Sequence, residues 1–147
     1  MRYSKVMKNR RNLIVEQIKK AVIPRFTVMA ENQECGIPGL RSDLVINKGD
    51  SAFIVHITMP FENRAEALEA AKKLKIEKYT PIMNHLRMRF KNVFIKSIII
   101  GPLGTWDPAN DPFLRKVCWR RYTSLLRKSA IKISRDIYVE HILGVVQ

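Results

Sequence analysis

The sequence predicts an α/β domain in which a mixed β-sheet is flanked by helices. Three observations lead there: apolar residues recur at helical spacing near the N-terminus, two β-branched runs separated by a Gly turn follow, and helix-forming segments then enclose one more apolar strand. A chain of 147 residues suits a single domain and buries roughly 70% of the surface that its unfolded form exposes. One core, in one domain over residues 1–147, is therefore expected.

Residues 4–22 set Val6, Leu13, Ile14, Ile18 and Val22 near helical spacing with Lys and Arg between them, and Pro24 stops the run. "RFTVMA" reads as a short strand and "ENQECGIPGL" as a polar loop. "DLVIN", the turn "NKGD" and "SAFIVHITM" form a hairpin signature. From Asn63 the period changes: "NRAEALEAAKKLKIEKY" is rich in helix formers, with Asn63 as N-cap and Glu66 as the return half of a capping box. Pro81 bends or restarts this helix, which continues to about Arg87. "NVFIKSIIIG" is nearly continuous in apolar residues and predicts a central strand covered on both faces. After the loop "GPLGTWDPANDP", anchored by Trp106, two helices are expected over 113–128 and 131–143, the second capped near Gly144. No internal repeat is visible.

The charge is lopsided. Lys and Arg number 27 against 13 Asp and Glu, a net charge of +14, which suits a phosphate-rich partner such as DNA or RNA, or an anionic membrane surface. Residues 1–25 carry eight basic side chains against Glu16 alone, and residues 115–135 carry eight with no acid. Each run on its own suits a solvated helix face; two in one small domain favour nucleic acid. Arg10, Arg11, Asn12, Arg115, Arg120, Arg121, Arg127 and Lys128 are the candidate DNA contacts, acting on phosphates rather than on bases. The apolar runs are too short to span a bilayer, and no stretch has a signal peptide's layout, so an intracellular chain is expected. Cys35 and Cys118 make neither a CxxC pair nor a disulfide framework and are expected to be reduced. His85 and His141 lack an i, i+4 His partner and suggest no zinc site. Tyr122, at helical spacing with Cys118, Leu125 and Leu126, reads as core before it reads as a base-stacking ring.

The hairpin "RSDLVINKGDSAFIVHITMPFE" carries Asp43 at one end and His56 within its second strand. A turn centred on Lys48 and Gly49 pairs Asp43 with Ile54, which leaves Asp43 and His56 on one face as diagonal neighbours; a three-residue loop reverses that parity. Two polar groups on an apolar hairpin are explained by a metal or a basic partner, or else by Asp43 capping the strand or pairing a lysine while His56 faces solvent.

"RSDLVINKGDSAFIVHITMPFE…EKY" resembles the restriction-like endonuclease domain at the C-terminus of site-specific non-LTR (LINE-type) retrotransposon polyproteins, the kind that insert into ribosomal RNA genes. These domains belong to the PD-(D/E)XK nuclease superfamily. Their hairpin motif reads Pro-Asp, twelve to fourteen residues, then Asp, with a Lys and a Tyr on the next helix. Asp43 matches the first aspartate, Ser42 stands for the proline, twelve residues follow, and Lys78 and Tyr79 match the last pair. "GPLGTWDPAND" and "SRDIYVEHILGVVQ" are similar to stretches of these elements, and "NRRNLIVEQI" is similar to their basic-His-Asn helix motif, with Arg11 where histidine is usual and Asn12 retained. His56 stands where the second catalytic carboxylate belongs.

The resemblance implies a restriction-endonuclease-like core with extra C-terminal helices, found here as a portion of a reverse transcriptase polyprotein without its polymerase segment. It also implies a nuclear location, DNA or element RNA as partner, and an ancestral role in nicking target DNA to prime reverse transcription. Asp43 and His56 are then the metal positions for Mg²⁺ or Mn²⁺, Lys78 polarises the attacking water and Tyr79 supports the site. Because Mg²⁺ prefers oxygen ligands, histidine at 56 predicts weak metal binding and impaired cutting unless Glu16 or Glu62 supplies the missing acid. The alternatives are a non-catalytic basic nucleic-acid-binding module and a basic interaction protein of no enzymatic ancestry. Convergence of Asp43, His56 and Lys78 in one cleft is expected under the first two and not required under the third.

Overall fold

The computed structural model describes residues 2–58, 65–101, 106–118 and 120–146. Its elements run α1 (Arg2–Val22), β1 (Thr27–Glu34), β2 (Arg41–Lys48), β3 (Ser51–Thr58), α2 (Ala65–Leu86), β4 (Asn92–Ile99), α3 (Asn110–Val117) and α4 (Arg120–Val146). The strands form one sheet in the order β1-β2-β3-β4. The first three are antiparallel neighbours and β4 joins β3 in parallel. That parallel pairing follows from α2, which carries the chain back along the sheet as a crossover between β3 and β4. The mixed sheet with flanking helices is the predicted fold class.

Side chains alternate along each strand, so the sheet separates two cores. On one face Leu44, Ile46, Phe53, Val55, Ile57, Ile98 and Ile100 pack with Ile14, Ile18 and Val22 of α1 and with residues of α3 and α4. On the other, Val45, Ala52, Ile54 and Val93 pack with Tyr79, Ile82 and Leu86 of α2. Pro24 ends α1 as expected. Pro81, by contrast, lies inside a continuous α2, because burial of Tyr79 and Ile82 on either side of it carries the helix through one lost rung.

Several expectations are corrected. "ENQE" belongs to β1 rather than to a loop, so the expected short strand "RFTVMA" runs on through four polar residues at that edge. The hairpin turn is Gly49–Asp50, between the paired residues Lys48 and Ser51, and Gly49 takes the positive φ of 59° that this tight turn needs. Leu44 therefore pairs with Val55, and the predicted pairing of Asp43 with Ile54 is displaced by two residues. A shift of two preserves the face, so the inference that Asp43 and His56 share a side survives a wrong register.

β4 is an edge strand, and β3 is the fully buried one. The outer edge of β4 is closed by a side chain: the buried Asn110 amide donates to the Ile99 carbonyl at 2.8 Å and accepts from the Ile99 N–H at 2.9 Å, doing for one residue what a fifth strand would do. The last two helices break at Cys118 rather than near residue 130, and Gly144 lies within α4 instead of capping it. Cys118 is buried at the C-cap of α3, where its thiol donates to the Leu114 carbonyl. Trp106 is the expected loop anchor, buried and donating to Asp111 at 2.9 Å. Tyr122 is partly buried against the first core. The Asn63 cap and Glu62 lie outside the described residues, as does the His141 side chain.

Candidate functional site

One end of the α2 face is polar. Continuing the β2–β3 register one step past Leu44–Val55 sets Asp43 opposite His56, and the parallel register pairs His56 with Ser97. Directly opposed side chains on neighbouring strands have Cβ atoms about 5 Å apart. Asp43, His56 and Ser97 thus form a row across three strands, at the carboxyl ends of the parallel pair β3–β4, where open α/β sheets commonly hold their ligands.

His56 is fully buried, at 0% exposure. This excludes the solvent-facing histidine that the hairpin also allowed. Its Nε2 is 2.6 Å from the Ser97 hydroxyl, its Nδ1 is buried without a hydrogen bond, and its ring lies 5.2 Å from that of Tyr79. Burial, then the positive charges of Lys75, Lys78 and Arg11, pull its pKa down to about 3, so the imidazole is neutral at physiological pH. Tyr79 is 3% exposed, and burial followed by the Asp43 carboxylate raises its phenol pKa. Asp43 itself is half-buried, and its Oδ2 accepts the Ile57 N–H at 2.7 Å.

Two lysines reach this end from α2. The Nζ of Lys78 lies 5.4 Å from the Tyr79 ring centre and that of Lys75 lies 5.8 Å away. Lys78, the expected catalytic lysine, is exposed, whereas Lys75 is half-buried. Lys75 has its pKa lowered by burial first and by Lys78 and Arg11 next, with Asp43 opposing. Arg11 of α1 lies within electrostatic reach of His56, Lys75 and Tyr79, and its buried Nε makes no hydrogen bond. Asp43, His56, Lys78 and Tyr79 lie at one end of the α2 face, but the cleft beside Asp43 is lined by none of the other three. Lys75 was missed by the sequence reading, although a helical wheel turned from Tyr79 puts residue 75 one turn back on the same face.

A cleft of about 380 Å³ opens beside Asp43, lined also by Asn12, Val15 and Glu16 of α1 and by Glu31 and Asn32 of β1. Glu31 is held by Lys19 at 2.7 Å. Glu16, named as a possible replacement acid, shares the cleft with Asp43. Even so, among the described residues no group of three or more His, Cys, Asp or Glu side chains is close enough to hold a metal ion. The set does not fit Mg²⁺: one carboxylate, already bonded to a backbone N–H, faces a buried nitrogen ligand and three cations.

The remaining basic candidates divide by environment. Arg10 is buried, and its guanidinium donates to the Gly101 carbonyl at 2.7 Å, tying α1 to the end of β4 rather than presenting charge outward. Arg115, Arg127 and Lys128 are exposed on α3 and α4. Arg115 and Arg127 border one surface cleft, and Lys128 borders a second with Lys132 and Arg135. Arg120 and Arg121 are in the first turn of α4, with side chains outside the description. No helix among the described residues is long and apolar enough to cross a membrane. No protein-family model matches the chain, and no curated protein matches it.

Proposed function

We propose that the chain is a DNA-binding, restriction-endonuclease-like domain related to the C-terminal nuclease of non-LTR retrotransposon polyproteins, in which metal-dependent hydrolysis has been lost at residue 56. The ancestral role is nicking of target DNA to prime reverse transcription, carried out in the nucleus. One observation carries this reading: His56 lies across from Asp43 on adjacent strands, under Tyr79 and the α2 lysines, where an aspartate would complete a two-carboxylate centre. The net charge of +14 and the exposed Arg115, Arg127 and Lys128 support the DNA-binding part, which does not depend on activity.

Nicking of supercoiled plasmid in Mg²⁺ and then Mn²⁺ tests the proposal. His56→Asp should nick, the unaltered chain should not, and adding Asp43→Ala to His56→Asp should abolish cutting. Cutting by the unaltered chain that Asp43→Ala removes would mean that hydrolysis is retained, with Glu16 the first acid to examine. The bond from the Ile57 N–H to Asp43 favours a second reading, a non-catalytic module in which the hairpin pair is structural. Under that reading His56→Asp gains nothing while DNA binding persists.

A further inference from the structure

The same end of the sheet gathers two lysines around the Tyr79 ring. We infer that Arg11, Lys75 and Lys78, gathered around Tyr79 and His56, clamp a phosphodiester of bound DNA without any metal ion. This rests on the DNA-binding reading above but assigns a new role to the former metal position, and to Lys75 in particular.

Charge gives the first reason. The Nζ atoms of Lys75 and Lys78 lie 5.8 and 5.4 Å from the Tyr79 ring centre, these two lysines and Arg11 all act on His56, and Asp43 is the acid that acts on Lys75 and Tyr79, so positive charge is in excess around the His56 ring. Aspartate at 56 would take one charge from that excess, whereas histidine leaves it whole. Such an excess is costly to hold at a half-buried position unless an anion comes to it.

Unmet hydrogen-bonding capacity gives the second. The buried Arg11 Nε, His56 Nδ1 and Thr58 Oγ1 make no hydrogen bond, and all three belong to α1 or to this end of β3. Buried polar atoms without partners are few in native proteins, and a group of them at one place calls for an explanation. Access gives the third: Lys78 is exposed and Lys75 is half-buried, so a backbone phosphate can approach from the α2 side, and the cleft beside Asp43, lined by Glu16, Glu31 and Asp43, is not its route. The phosphate of a duplex is favoured over a free ion because the exposed Arg115, Arg127 and Lys128 offer further positive charge on the same chain.

The test is binding of a short fluorescein-labelled DNA duplex to the full chain in EDTA, titrated with chloride salt. Lys75→Gln, Lys78→Gln and Arg11→Gln should each weaken binding and lower the slope of log K against log salt by about 0.9, the value for one lost phosphate contact. Lys75→Arg should retain most of the affinity. His56→Asp should weaken binding in EDTA, with Mg²⁺ or Mn²⁺ restoring it. The exposed Lys78 keeps the test decisive should Lys75→Gln or Arg11→Gln fail to fold by circular dichroism. Unchanged affinity and slope in Lys78→Gln and in the folded variants of the other two, with Arg127→Gln and Lys128→Gln still weakening the duplex, would overturn the clamp and leave the DNA-binding reading standing. No duplex binding by the unaltered chain would overturn both. Displacement of the duplex by inorganic phosphate well beyond that by chloride at equal ionic strength would reassign the centre to a free phosphate-type ligand and overturn the duplex assignment.

Discussion

The two faces of the sheet meet at Ile57 and His56, adjacent fully buried residues of β3 that point in opposite directions. Ile57, 1% exposed, enters a core built with α1, α3 and α4. His56 enters the polar end of the α2 face, beside Asp43, Ser97 and Tyr79. Burial is equal on the two sides, but the chemistry differs. Ile57 gives up only apolar surface to the interior, so its burial is favourable outright. His56 gives up a solvated imidazole, recovers one hydrogen bond to Ser97, and leaves Nδ1 unmet. The first face is what a fold needs for stability. The polar end of the second is not explained by stability and is therefore where function should be sought.

The largest expected effect lies on the apolar side: Ile57→Ala should destabilise by about 3 kcal/mol, through lost transfer energy and the cavity left behind. Chemical denaturation would measure it. If the comparison holds, removing the polar groups next door should do far less. His56→Leu combined with Ser97→Ala takes away both members of a buried hydrogen bond together, which is commonly near neutral.

Between these lies a pH effect whose sign is fixed. The unfolded chain protonates His56 near pH 6.5, whereas the folded chain resists until about pH 3. The unfolded state thus binds more protons in that window. This contribution to stability is complete above pH 6.5 and is lost as pH falls toward 3, at no more than about 1.4 kcal/mol per pH unit. Unfolding midpoints from pH 7 to 4 should fall more steeply for the unaltered chain than for His56→Gln. Equal slopes would mean that His56 is not held neutral. The smallest effect belongs to the double variant, which should lie within about 1 kcal/mol of the unaltered chain. A loss as large as that of Ile57→Ala would mean that the polar row is a structural element after all.

How much of this was legible depends on which interactions are local. The hairpin and α2 were readable because turn chemistry and helix propensity act within a few residues, and face parity survived a two-residue error in register. Sheet order was not readable: "NVFIKSIIIG" has the apolar run of a covered strand, yet β4 is an edge, with Phe94 42% exposed and stacked on Phe53. Its protection at Ile99 comes from Asn110, eleven residues on and inside what the composition marked as a loop. The break at Cys118 was hidden because "RKVCWRRY" contains no glycine or proline. At the site, Asp43, His56, Lys78 and Tyr79 could be named from the resemblance. Ser97 depends on a parallel register, and Lys75 on which face of α2 meets the sheet. Arg10 went the other way: its charge suggested DNA, and its burial makes it a tie to Gly101.

We propose that the polar end of the α2 face is a hydrolytic centre lacking one carboxylate. Isothermal titration of Mn²⁺ into the unaltered chain, His56→Asp, and His56→Asp with Asp43→Ala tests it most directly. The expected result is no saturable site in the unaltered chain, one site in His56→Asp, and its loss when Asp43 is also removed. Saturable binding by the unaltered chain that depends on Asp43, or no binding by a folded His56→Asp, would contradict it.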